Sequence, residues 1–82
     1  MEYKDGIMQL ISIKQKMIKN IIHQMKVEAE AQIMYLAKDD HVWASKCAER
    51  LIRYGNEINV VKGQIEQLEL VILKLDTITG DK

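Results

Sequence analysis

Two long stretches of the chain carry apolar residues at helical spacing, and a short polar segment separates them. In the first, Ile11, Ile18, Ile22, Met25, Ala29, Ile33 and Leu36 recur at intervals of three, four or seven, which stacks them on one side of a 3.6-residue helix. The pattern predicts a helix over about 6–38, with Asp5 as its cap. In the second, Ala44, Cys47, Leu51, Tyr54, Ile58, Val61, Ile65, Leu68, Ile72 and Leu75 follow an unbroken three-four alternation, the a/d seam of a coiled coil. That stretch predicts a helix over about 41–76. Between them, Lys38-Asp39-Asp40-His41 breaks the pattern: acids compete with the backbone for hydrogen bonds, and Asp40 is placed to cap the second helix.

A link over 38–41 is too short for anything but antiparallel neighbours. The expected fold is therefore all-α: a single long two-helix hairpin over 1–82, coiled-coil-like and expected to oligomerise. Counting outward from the turn places Leu36 opposite Ala44, Ile33 opposite Cys47, Ala29 opposite Leu51, and Met25 opposite Tyr54. Ile22 then meets Ile58, Ile18 meets Val61, and Ile11 meets Leu68. The predicted core is Ile18, Ile22 and Met25 against Leu51, Tyr54, Ile58, Val61, Ile65 and Leu68. Gln15, opposite Ile65, is a polar intrusion at the seam or at its edge. Gly55 and Gly63 inside the second helix mark a weak point or a close backbone approach.

The seam leaves apolar surface over. Leu10, Met17 and Ile21 form a second strip on the first helix, and Ala48, Ile52, Leu70 and Leu73 do so on the second. A two-helix core of this size supplies no more than about 3–5 kcal/mol. The strips predict a covering chain, with Leu10, Met17, Ile21, Ile52, Leu70 and Leu73 as the self-association surface.

Composition agrees with helices throughout: 48% of the 82 residues are apolar and there is no proline. Twelve basic and twelve acidic residues cancel, so the overall charge calls for neither nucleic acid nor membrane. The single cysteine, Cys47, rules out an internal disulfide and fits a reducing compartment. No run of apolar residues approaches bilayer-spanning length. Candidate chemistry is sparse. His23 and His41 lack a metal-motif partner at helical spacing, and Cys47 falls on the seam without a base. Glu28 and Glu30 point to different sides of one helix, and Trp43 is expected to pack over the hairpin tip. The expectation is no enzyme, no cofactor, no metal, no small-molecule substrate and no nucleic acid.

Charge is more informative when read by face. Lys16, Lys19, His23 and Lys26 share one side of the first helix; Lys46, Arg50 and Arg53 share one side of the second, while Glu66, Glu69 and Asp76 make its far end acidic. In the second helix, Ala44-x-x-x-Ala48-Glu49-x-x-Ile52-Arg53-x-x-Asn56-Glu57 is followed by Val71-Ile72-Leu73-Lys74-Leu75-Asp76-Thr77. These blocks, their spacing and the short polar turn resemble the second helix of the ESCRT-III core, the charged multivesicular body proteins. The resemblance covers most of the chain but only the family's first hairpin.

The resemblance implies a cytoplasmic protein, peripheral on endosomal or other membranes, that lays hairpins side by side into filaments and remodels the membrane. It implies that Lys16, Lys19 and Lys26 meet acidic lipid, and that the partners are copies of itself or related subunits. The family's later helices and acidic tail have no counterpart in these 82 residues. A second reading fits the heptads equally: a helical-hairpin adaptor that dimerises into a four-helix bundle and binds a partner protein.

Overall fold

A computed structural model describes residues 2–79 as two helices, α1 (Glu2–Ala37) and α2 (His41–Thr79), folded back on each other. Met1 and residues 80–82, at the limits of the expected 1–82 unit, lie outside the described residues. The hairpin measures 62 × 15 × 14 Å, one helix pair thick along its whole length.

Both helices run further than the hydrophobic pattern indicates. α1 starts at Glu2 rather than near residue 6, so Asp5 lies within its first turns instead of capping it. There its charge still faces the positive end of the helix dipole. α2 continues to Thr79 rather than 76. The extra turns are joined across the hairpin by Lys4, whose Nζ donates to Asp76 Oδ1 at 2.8 Å.

The turn is built by backbone hydrogen bonds. The Asp40 N–H donates to the Tyr35 carbonyl at 2.8 Å and the Asp39 N–H to the Leu36 carbonyl at 3.1 Å, the two bonds of a Schellman termination. Such a termination needs one left-handed residue, and Asp39 takes it with a φ of 58°. Asp40 then caps α2 as its sequence position predicts: its Oδ1 accepts the Trp43 N–H at 3.2 Å. Asp39→Gly should therefore relieve the left-handed strain. Gly63 is exposed within α2, and a Cβ there would meet nothing within 4 Å, so no close approach requires glycine. Asp39→Gly and Gly63→Ala are each expected to stabilise the hairpin by about 0.5–1 kcal/mol, read as a rise in the thermal midpoint.

On α2 the seam is the expected one. Ala44, Cys47, Val61 and Ile65 are buried, and Leu51, Tyr54, Ile58, Leu68, Ile72 and Leu75 are half-buried. The register also agrees. Contacts from Lys4 to Asp76, Lys14 to Gln64, Glu28 to Arg50 and Tyr35 to Trp43 step evenly away from the turn.

The inward face of α1 differs from the one the sequence suggests. Ile22, predicted in the core, is 41% exposed, and Ile33 and Leu36 are left outside as well. The half-buried line runs instead through Lys4, Ile7, Ile11, Lys14, Ile18, Ile21, Met25, Glu28, Gln32 and Tyr35, an uninterrupted three-four alternation. The reason is geometric. Met25, Ala29 and Ile33 are successive steps of four, which drift around a helix, whereas one straight partner needs a mean period of 3.5. Polar residues are tolerated in this line because their stems pack while their heads reach the edge. Lys14 Nζ donates to Gln64 Oε1 at 2.9 Å, and Arg50 Nη1 donates to the Glu28 carboxylate at 3.4 Å. Gln15 is exposed, so the polar intrusion at this level is Lys14.

Candidate interaction surfaces

A single helix pair can enclose little, and only four apolar residues are buried among those described. The most enclosed is Cys47, 1% exposed. Burial pushes its thiol above the usual range; the Glu28 carboxylate raises it further by hydrogen bonding and by charge, and Arg50 offsets part of this. A thiol held protonated and enclosed is a poor nucleophile. Cys47 is expected to resist a thiol-specific maleimide at pH 7 and to react promptly once denaturant opens the hairpin. Equal rates in both conditions would contradict its burial.

His23 and His41 are exposed, and no group of three or more His, Cys, Asp or Glu side chains among the described residues is arranged to hold a metal ion. At the tip, the Trp43 ring stacks on Tyr35 with centroids 6.1 Å apart, and the Lys46 ammonium lies 4.4 Å from the indole centroid. Trp43 thus packs over the turn, as its position suggests.

What the molecule offers instead is surface. Ten large apolar side chains of α1 and eight of the segment from Val42 onward are exposed among the described residues. Around α1 the apolar arc spans the seam and both of its flanks, leaving one narrow polar side that carries Lys16, Lys19, His23 and Lys26. So wide an apolar arc is more than α2 alone can cover. No helix among the described residues is long and apolar enough to cross a membrane.

No family model, curated protein or solved structure matches the chain. The surfaces have to be read from their own geometry.

The six residues expected to mediate self-association do not form one patch. Leu10 and Met17 are exposed on one flank of α1. Ile21 is half-buried and belongs to the hairpin seam, its edge lining the groove beside Met17, Arg53 and Val60. Ile52 and Leu73 share a side of α2, but they lie 21 residues apart, about 32 Å, with exposed Asn59 and Glu66 between them. Leu70 and Leu73 form a small apolar end of their own. Leu73 also lines the opposite groove with Met8, Ile11 and Ile72.

Three residues not expected from the sequence change the picture on α1. Ile13, Val27 and Met34 are 47–56% exposed and extend the line of Leu10 and Met17 along the helix. Their signal was a second three-four alternation, offset from the first by one residue and interrupted by Asn20 and Gln24. Lys16, Lys19 and Lys26 are all exposed. The side holding Lys19 and Lys26 points away from both α2 and this second stripe.

Proposed function

We propose that the protein is a structural subunit, similar to the ESCRT-III core hairpin, that assembles with copies of itself or related subunits on acidic membrane surfaces. The observation that carries the reading is the mismatch between shape and composition. Among the described residues a hairpin 62 Å long buries four apolar side chains and leaves a wide apolar arc of α1 uncovered, with lysines on the one remaining side. Such a surface suits lateral packing of rods, each gaining burial that one helix pair cannot provide. Lys16, Lys19 and Lys26 supply attraction to anionic headgroups, and the peripheral location on endosomal or other membranes follows from the same resemblance.

Electron microscopy with and without vesicles containing phosphatidylserine tests the reading. Filaments or coated, deformed vesicles are the expected result. Discrete particles beside bare vesicles would overturn it in favour of the helical-hairpin adaptor that binds a partner protein.

A further inference from the structure

We infer that the second apolar stripe of α1 is a two-fold interface on which a second copy of this chain packs with its α1 antiparallel. The stripe reads Leu10, Ile13, Met17, Asn20, Gln24, Val27, Ala31, Met34, again at alternating spacings of three and four. It is symmetric about its middle. Reversed upon itself, Leu10 meets Met34, Ile13 meets Ala31, Met17 meets Val27, and Asn20 meets Gln24 of the second copy. Each contact recurs with the copies exchanged, as a two-fold interface requires. Apolar residues therefore meet apolar residues throughout, and the only two polar positions meet each other. Amides paired at the centre of an apolar seam set its register and orientation.

Charge selects the same direction. The outer rim of the stripe carries Gln9, Lys16, His23, Glu30 and Ala37, all exposed, with Lys16 and Glu30 its two residues of fixed opposite charge. Antiparallel pairing places Lys16 beside Glu30 of the second copy, twice per dimer, with His23 facing its counterpart and Gln9 facing Ala37. A parallel pairing in register brings Lys16 to Ile21 and leaves it without a carboxylate. The stripe is about 36 Å long, enough to contribute much of the roughly 800 Å² per partner of a standard interface.

The arrangement has a consequence for the membrane-facing side. The stripe is offset from the hairpin seam by one residue, about 100° around α1. The two copies of α2 then fall on one face of the dimer, and Lys19 and Lys26 of both copies gather on the opposite face. The inference rests on the self-assembly in the proposed function and not on membrane binding, so the two can fail separately.

Oxidative cross-linking decides the orientation. Cys47 is enclosed, so the parent chain serves as the unreactive control. Leu10→Cys mixed with Met34→Cys is expected to form a mixed disulfide dimer, while either variant alone stays largely uncross-linked. Self-cross-linking of Leu10→Cys would overturn the antiparallel assignment, and no cross-link in any combination would overturn the interface. Because substitution in the stripe can unsettle the fold, a rim experiment stands beside it. Lys16→Glu should weaken the dimer about tenfold in sedimentation equilibrium, and Lys16→Glu combined with Glu30→Lys should restore it. A parent chain that is monomeric at high micromolar concentration, or a double variant no tighter than the single one, would overturn the proposal. The outcome on vesicles plays no part in either experiment.

Discussion

Val61→Asp is expected to abolish the hairpin, while Asn59→Asp, two residues away, leaves it folded. Val61 is 7% exposed in the middle of the α2 seam, and among the described residues no buried side-chain nitrogen or oxygen lacks a partner in the parent. An aspartate there must either bury an unpaired carboxylate or take up a proton, and both routes cost several kcal/mol. A two-helix core supplies about 3–5 kcal/mol in all, so little stability would remain. Asn59 is exposed, and substitutions at such positions usually stay within about 0.5 kcal/mol. Circular dichroism at 222 nm during a thermal scan separates the two variants. Equal midpoints would mean that the seam through Val61 does not hold the helices together.

A larger functional effect is expected from Lys19→Glu combined with Lys26→Glu. Both lysines are exposed on the polar side of α1, away from the seam and away from the stripe, so helix content and self-association should be retained. Each basic residue near an anionic surface contributes about 1 kcal/mol, and each reversal replaces that attraction with repulsion. Co-sedimentation with phosphatidylserine vesicles should therefore fall at least about tenfold for the double variant. Raising salt should weaken parent binding in the same direction, because the Debye length shrinks from about 10 Å at 0.1 M to about 3 Å at 1 M. Parent binding indifferent to both salt and these reversals would move the membrane contact to the apolar side chains. Sparing Lys16 keeps the test separate from the rim contact with Glu30.

Much of this molecule was legible because local physics and global fold agree. The α2 seam from Ala44 to Leu75 is a strict heptad, and a strict heptad admits only one inward face. The turn was legible for a similar reason. Two acids in succession disfavour helix, and a capping aspartate commits the chain to start again. With the turn placed, antiparallel register followed from counting, and the contacts from Lys4 to Asp76 through Tyr35 to Trp43 keep that register.

The face of α1 was the part that sequence alone left undecided. Its apolar residues cover so much of the helix that two stripes compete, and hydrophobicity along one strand of sequence carries no information about which stripe α2 takes. Pairing with a straight partner resolved it through the ends of long polar side chains. Lys14 and Glu28 sit on the seam because Gln64 and Arg50 are within reach across it, which frees Ile13, Val27, Ile33 and Met34 to the outside. The amino-acid sequence by itself determined two helices, their turn, their register and the inward side of α2, since these depend on spacing and capping within a few residues. Only the tertiary structure decided which side of α1 is buried and which is left exposed, because that choice depends on side chains from two distant segments meeting in space.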